Sequence, residues 1–173
     1  MIRSLVLLAL VLQVIWPVEA LAAPSSQQLY ERALTASRSG DFEQALPLWD
    51  QVLSLAPRDA AAFSNRGNVR LALGDPDGAI ADQTQAMALA PEETDPHLNR
   101  GTAEEALQDW QAAAADYLWI LERDPSDAAA LYNLGNVRGS EDNWPEARRL
   151  FAEAFLVQPG FAMARKVVDY TLT

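Results

Sequence analysis

The chain has 173 residues, a formal net charge of −11 at pH 7 and no cysteine. This length suits one domain, and the lack of cysteine excludes disulfides, thiolate catalysis and cysteine-ligated metal sites. The acidity argues against nucleic acid and anionic membrane surfaces as partners, and it favours basic peptides or proteins.

Residues 1–22 have the pattern of a signal peptide. A short positive start precedes an apolar run at 5–15, and Pro17 separates that run from a small-residue A-x-A pattern that ends at Ala22. We therefore expect cleavage near Ala22 and a mature chain of residues 23–173 in an exported compartment, either a bacterial periplasm or a thylakoid lumen. Retention of the segment as a membrane anchor is the alternative, which the short run disfavours because a spanning helix needs about 20 residues.

After residue 26 the same residue types recur every 34 positions. The recurring sets are Pro57, Pro91, Pro125 and Pro159; Ala45, Ala79, Ala113 and Ala147; Gly67, Gly101 and Gly135; and Asp41, Asp75, Asp109 and Asn143. Such agreement divides the chain into four units, at residues 26–59, 60–93, 94–127 and 128–161.

Each unit carries start and stop signals for two helices. The acid or amide of the last set is placed to accept hydrogen bonds from the first turn of a second helix, and Asp59 and Asp127 are placed to do so for first helices. Pro76 suits a first helical position, where its missing N–H costs nothing. The repeat prolines end the preceding helices, because the residue before a proline avoids helical geometry. We therefore predict helices of about 12 to 14 residues.

The stretch Asn65-Arg66-Gly67-Asn68 resembles a turn or an anion-binding loop in isolation. In the repeat register it lies inside a first helix, where glycine costs about 0.5 to 1 kcal/mol relative to alanine. We expect close packing to offset this cost. The register glycines are predicted to let the second helix approach the first, opposite Ala79, Ala113 and Ala147.

A 34-residue unit with small residues at places eight, twenty and twenty-seven and proline at place thirty-two resembles the tetratricopeptide repeat (TPR). The resemblance covers residues 26–161 and implies an all-α TPR solenoid: four helix-turn-helix repeats in a right-handed superhelix, with first helices lining a concave groove. The first unit departs most, with Ala33 where glycine is usual and Val52 where alanine is usual. Residues 162–172 are predicted to form a capping helix, because a last repeat would otherwise expose an apolar face.

The resemblance also implies which side chains face the groove. These are Tyr30, Leu34, Asn65, Asn68, Leu71, Leu98, Asn99, Thr102, Tyr132, Asn133 and Asn136. Asn65, Asn99 and Asn133 share one place, and an amide both donates and accepts, so the column resembles an asparagine ladder that binds the backbone of an extended peptide. The other interpretation, that asparagine is merely frequent at this place in ordinary repeats, is equally open.

A second binding mode of the family is excluded. Chaperone-binding members hold a peptide's C-terminal carboxylate with asparagines and a set of cations, whereas the corresponding places here hold Ser64, Asn68, Asn99, Ala129 and Asn133. An anionic C-terminus would therefore lack a charge-assisted partner. Arg66 and Arg100 are expected to form structural salt bridges with their aliphatic stems buried.

Nothing in the sequence indicates catalysis, a cofactor or a metal site. The motifs for nucleotide, hydrolase and zinc-protease chemistry are absent. His97 occupies a packing place and is interpreted as structural or solvated, since zinc needs three or four ligands. The acids Glu104, Glu105 and Asp116 are expected on solvated faces.

The predicted function is that of a non-enzymatic scaffold that binds a peptide or protein partner, in particular a basic one, in the groove. An assembly or maturation factor of an exported compartment fits this description. The alternative is a structural homo-oligomer whose groove is filled by another copy.

Overall fold

The computed structural model describes residues 24–159, and within them every regular element is a helix. The predicted signal segment, 1–22, and the predicted capping helix, 162–172, lie outside these residues. The helices are α1 (Ser26–Ser39), α2 (Phe42–Leu55), α3 (Ala60–Ala72), α4 (Pro76–Leu89), α5 (Asp95–Ala106), α6 (Trp110–Leu121), α7 (Ala128–Ser140) and α8 (Trp144–Val157). The predicted all-α architecture of helix pairs is confirmed.

The stacking of the helices produces an inner and an outer layer. Each helix packs against the next, and the first helices also contact one another, α1 with α3, α3 with α5 and α5 with α7. No comparable contact joins two second helices within the described part of the chain. The layer of first helices is therefore the tighter one, and it forms the inner, concave side of the stack.

The helix starts follow the predicted capping chemistry with one exception. The carboxylates of Asp41, Asp75 and Asp109 each accept a hydrogen bond from the backbone N–H three residues later. Asn143 does not, and our expectation for it was wrong. Its Nδ2 group instead donates to Glu146 Oε2 at 2.8 Å, so the amide is held by a side chain of the first turn.

The glycines allow close packing, but in all three units the closest group differs from the predicted alanine. A Cβ at Gly101 would lie 2.6 Å from the Tyr117 ring, and one at Gly135 would lie 2.6 Å from the Phe151 ring. At Gly67 the closest group is the Gln83 side chain, with the Ala79 carbonyl oxygen next. The glycines therefore mainly accommodate a large side chain from the second helix, sixteen residues later.

Two apolar clusters occupy the two ends of the stack. One surrounds Trp49 on α1, α2 and α3, and the other surrounds Tyr117 and Leu134 on α6, α7 and α8. Between them the buried side chains are unusually polar: Asp82, Gln83, His97, Glu104 and Asp116 are each at most 9% exposed.

Ion pairs satisfy the buried acids at the centre. Arg66 binds Asp82 on its own second helix and Asp50 on the preceding one, both at distances below 3 Å. Arg100 binds both oxygens of Asp116 and reaches Thr84 on the preceding second helix. The structural role predicted for these arginines is confirmed, and each of them joins two neighbouring units.

Our expectation that Glu104 and Asp116 lie on solvated faces was wrong. Asp116 is 3% exposed because it faces Arg100 and His97 across the α5–α6 interface. Glu104 is 9% exposed, and its Oε2 atom has no hydrogen-bond partner within residues 24–159. Burial and the nearby Asp116 raise the pKa of Glu104 to about 7, although Arg100 opposes the shift.

None of the helices in residues 24–159 combines the length and the apolarity needed to cross a membrane.

Candidate functional site

The predicted groove side chains all lie on the first helices α1, α3, α5 and α7, and each is half-buried or exposed. The structure brings three of them, Asn65, Asn68 and Asn99, to one depression of 390 Å³ between α3 and α5. We call this depression the α3–α5 cleft.

The lining of the α3–α5 cleft combines polar side chains, small residues and exposed acids. Ser64, Asn65 and Asn68 line it from α3, and Asn99 lines it from α5. Ala60, Ala61 and Ala90 add small side chains to the lining, while the exposed Glu93 and Asp95 supply carboxylates at its edge. The cleft therefore suits a polar, uncharged or basic ligand.

A second depression, the α1–α3 cleft, has a volume of 430 Å³. Its lining includes Leu34 and Arg38 from α1, Phe42 from the start of α2, and Asn65, Asn68 and Val69 from α3. Because Asn65 and Asn68 border both clefts, the two depressions lie on the two flanks of α3 and form one surface across it.

The asparagine column makes contacts within the protein. Asn65 Nδ2 donates to the Ala61 carbonyl at 2.8 Å, and the same side chain lies near the Tyr30 hydroxyl. Asn99 Nδ2 lies 3.3 Å from Ser64 Oγ. Asn99 thus connects its helix to the first helix of the preceding unit, which is a structural role in addition to any binding role.

Asn133 contacts the hydroxyl of Tyr117, a residue of the second helix α6. Tyr117 crosses to the inner side over Gly101, and its hydroxyl donates to Glu105 at 2.5 Å. Burial, reinforced by Glu105, raises the pKa of Tyr117, and burial likewise raises the pKa of Glu105. This network, which also includes Thr102, occupies the inner face between α5 and α7.

Asn68 and Asn99 retain complementary hydrogen-bonding capacity. Gln83 Nε2 donates to Asn68 Oδ1 at 3.0 Å, and the Nδ2 group of Asn68 makes no hydrogen bond within residues 24–159. Asn99 Nδ2 donates to Ser64 Oγ, and the Oδ1 atom of Asn99 remains available as an acceptor. The lining of one cleft thus includes one amide with a donor and one with an acceptor not used within residues 24–159, and these groups complement the C=O and N–H groups of a peptide backbone.

Gln83 is a functional candidate that our sequence reasoning missed. It is 1% exposed, it lies against Gly67, and it donates to the Ser64 carbonyl as well as to Asn68. The same register holds the aromatic residues Trp49, Tyr117 and Phe151 in the other units. The repeat pattern therefore contained a signal for this site, because Gln83 is the one residue of this series that is not aromatic.

The remaining predicted residues lie elsewhere on the inner side. Leu98 and Tyr132 pack against the C-terminal apolar cluster, and the Tyr132 ring centroid lies 5.3 Å from that of Phe151. Tyr30 and Leu34 pack against the N-terminal cluster. Asn136 lines a separate hollow beside Trp144, Thr102 Oγ1 donates to the Leu98 carbonyl, and half-buried Leu71 lines neither of the two clefts.

A larger hollow of 740 Å³ lies at the N-terminal end of the described chain. It is formed by α1, the start of α2 and Pro24, and none of the predicted groove residues lines it. Its position at the end of the stack, away from the seams between first helices, separates it from the site described above.

His97 is buried and structural. Its Nδ1 atom lies 2.8 Å from Asp116 Oδ1, and its ring stacks on Trp119 with 3.6 Å between centroids. The guanidinium of Arg123 lies 3.5 Å from the centroid of the same indole. Within residues 24–159 no group of three or more His, Cys, Asp or Glu side chains is positioned to hold a metal ion.

Sequence comparisons identify similar segments in longer proteins. A segment of 56 residues is 39% identical to DnaJ homolog subfamily C member 3 of Gallus gallus, covering 32% of this chain and 11% of that protein. Another segment of 51 residues is 35% identical to tetratricopeptide repeat protein 36 of Danio rerio, covering 30% of this chain and 27% of that protein. The chain thus matches less than a third of the length of either relative.

Structural comparisons extend over most of the chain. MamA from Desulfovibrio magneticus RS-1 superposes with a TM-score of 0.74 at 16% identity, covering 84% of this chain and 82% of that one. The first TPR of Spaghetti (RPAP3), bound to the HSP90 peptide SRMEEVD, superposes with a TM-score of 0.64 at 24% identity, covering 68% and 93%. These likenesses establish the fold.

The family assignment comes from a match to the tetratricopeptide repeat model over two stretches, residues 30–94 and 98–156. Together these stretches span the four units of the sequence pattern and all eight described helices. The chain belongs to the tetratricopeptide repeat family.

Proposed function

We propose that this chain is a non-enzymatic scaffold that binds an extended segment of a partner protein across its layer of first helices. The observation that carries the proposal is the pair of unused amide groups in the α3–α5 cleft, the Nδ2 of Asn68 and the Oδ1 of Asn99.

The paired donor and acceptor favour an extended partner over a helical one. A helix satisfies its backbone N–H and C=O groups internally, whereas an extended segment presents both groups outward. A segment that crosses the first helices would therefore place one peptide group between Asn68 and Asn99. Because the contact is with the backbone, it tolerates many partner side chains.

The electrostatics disfavour an acidic partner. The structural neighbour bound to the peptide SRMEEVD supports peptide binding by this fold, but here the rim of the cleft carries Glu93 and Asp95. Arg66 and Arg100, the arginines beside the asparagine column, are already held by Asp82 and Asp116. An anionic C-terminus would thus meet carboxylates without a compensating cation, and a basic partner fits better.

The test uses a library of random peptides of about twelve residues, long enough to span the four first helices. The mature chain is immobilised, and the affinity of the selected peptides is measured by fluorescence anisotropy. The double variant Asn68→Ala/Asn99→Ala should bind them about tenfold more weakly or worse, because two hydrogen bonds are lost. Asn68→Asp, which retains the acceptor for Gln83 but removes the donor, should also weaken binding.

The matched control is Gln111→Ala, which removes an exposed amide side chain from the second helix α6, outside both clefts. It should bind as the wild type does. Unchanged affinity in the folded double variant would overturn the proposal, as would a library from which no peptide is retained. Light scattering tests the competing idea that another copy fills the groove: a stable dimer that excludes the peptides would contradict binding of a separate partner.

We also propose that the scaffold acts after export, as an assembly or maturation factor. The pattern at residues 1–22 supports this proposal. Intact mass measurement after expression in a bacterial host, with the native N-terminus, should give a chain that starts near Ala23. Recovery of the uncleaved chain in the membrane fraction would favour an anchor instead.

A further inference from the structure

The two clefts that flank α3 differ in chemistry. The α3–α5 cleft has Glu93 and Asp95 at its rim. The α1–α3 cleft is bordered by Leu34, Phe42 and Val69 and has a single basic residue, Arg38, at its edge. A segment that crosses α3 would therefore meet an acidic surface on one flank and an apolar surface on the other.

The charged groups at these edges are exposed and available to a ligand. Glu93, Asp95 and Arg38 are exposed, and none of them forms an ion pair within residues 24–159. In contrast, Arg66, Arg70 and Arg100 are all held by buried acids. The charges that remain available to a ligand are thus distributed unevenly across the inner face.

We propose that the bound segment carries a lysine or arginine over Glu93 and Asp95 and an apolar side chain in the α1–α3 cleft. This inference rests on the proposed function and adds a sequence preference and an order to it. Arg38 would attract an acidic side chain of the partner, because opposite charges attract. In the bound segment, that acidic residue lies beyond the apolar residue, on the side away from the basic residue.

The spacing of the two side chains follows from the geometry of the stack. Packed helices lie about 8 to 10 Å apart, so the two flanks of α3 are separated by a similar distance. An extended chain advances about 3.3 Å per residue, and alternate side chains face the same side. The basic and apolar residues should therefore be two to four positions apart.

The test is a comparison of enriched sequences from the same random-peptide library on the wild type and on Glu93→Lys/Asp95→Lys. The wild type should enrich a basic residue two to four positions from an apolar one, and its binding should weaken several-fold as salt is raised. The charge-reversed variant should lose the basic residue, with an acidic one replacing it, while the apolar position is retained.

The matched control is Glu43→Lys/Glu122→Lys, which changes the net charge by the same amount at two exposed positions of the outer layer. It should retain the basic preference, which would separate a local contact from the general field of an acidic protein. A second surface variant, Arg38→Glu, should enrich an additional basic residue beyond the apolar position.

The outcomes distinguish this inference from the function on which it rests. If peptides are retained and depend on Asn68 and Asn99 but show no basic and apolar pair, the sequence preference is wrong and the scaffold function stands. If the control Glu43→Lys/Glu122→Lys also loses the preference for a basic residue, the proposed contact of that residue with Glu93 and Asp95 is wrong. If no peptide is retained at all, the proposed function itself fails.

Discussion

The Nδ2 atom of Asn99 lies 3.3 Å from the hydroxyl oxygen of Ser64, so an amide of one first helix donates to the first helix of the preceding unit. The Asn65 side chain lies near the hydroxyl of Tyr30, which is also on the preceding first helix. Part of the column that resembles a peptide-binding ladder therefore holds neighbouring units together. Substitution of these amides changes stability as well as binding, and the two effects have to be measured separately.

The bond between Asn99 and Ser64 should be detectable as a coupling energy. Ser64→Ala and Asn99→Ala should each lower the free energy of unfolding. The loss in the double variant should be smaller than the sum of the two single losses by about 0.5 to 1.5 kcal/mol. Urea denaturation of the four proteins measures this value. Additive single effects would show that the bond contributes nothing to stacking.

Gly101→Ala should destabilise the protein although alanine is the better helix former. The new methyl group would lie 2.6 Å from the buried Tyr117 ring, and such overpacking typically costs about 1 to 3 kcal/mol. Gly139→Ala is the control, because its methyl group would lie 3.4 Å from Trp144, an ordinary contact. That variant should gain up to about 1 kcal/mol from helix propensity. Equal thermal unfolding midpoints for the two variants would contradict the packing role of Gly101.

Arg100→Leu should leave the carboxylate of Asp116 buried without its main partner. We expect the free energy of unfolding to fall by about 2 to 3 kcal/mol. This value is at or below the lower end of the range for fully buried ion pairs, because the Arg100 side chain is 24% exposed. The double variant Arg100→Leu/Asp116→Leu should recover part of this loss, since the fourth unit has Leu134 and Leu150 at the same places, while His97 loses its bond to Asp116. Denaturant midpoints measure both changes. A double variant less stable than the single one would show that the ion pair is essential to the fold.

Glu104 should make stability fall as pH rises towards neutrality. Its pKa is raised from 4.5 to about 7, first by burial and then by Asp116 and Asp109, with Arg100 opposing. The folded protein therefore holds a proton that the unfolded chain releases, and this contribution is complete below pH 4.5 and is lost as pH rises through about 7.

Glu104→Gln removes that titration and should flatten the dependence of the unfolding free energy on pH in this window. The exposed control Glu122→Gln, which removes one charge at the end of α6, should retain the wild-type slope. Urea denaturation across the window measures the slopes. The same slope in wild type and Glu104→Gln would rule out Glu104 as the titrating group.

The interval of 34 residues was sufficient to predict the helix pairs. Caps such as Asp75 and the proline at Pro76 act through bonds between residues close in sequence, so their effect is visible without knowledge of the fold. The place of Gly67 inside a helix also followed from the register alone. The predicted cap at Asn143 does not form, because its amide has an alternative partner within reach, Glu146.

The candidate site was only partly predictable. The register placed Asn65, Asn68 and Asn99 on first helices, where they line one cleft. It did not show which of their polar atoms are already used, because Gln83 and Ser64 reach them from fifteen to thirty-five residues away. The same limit explains why Glu104 and Asp116 were expected on the surface, since their burial depends on helices that meet only after the units stack.

The sequence by itself determined the repeat, the starts and ends of the helices and the acidic character of the chain, because these depend on local backbone chemistry and on composition. Only the tertiary structure decided which amide groups remain available to a ligand and which acids are buried. The reason is physical: hydrogen-bond partners and solvent exposure are properties of the packed units, and the identity of one side chain does not specify what lies against it.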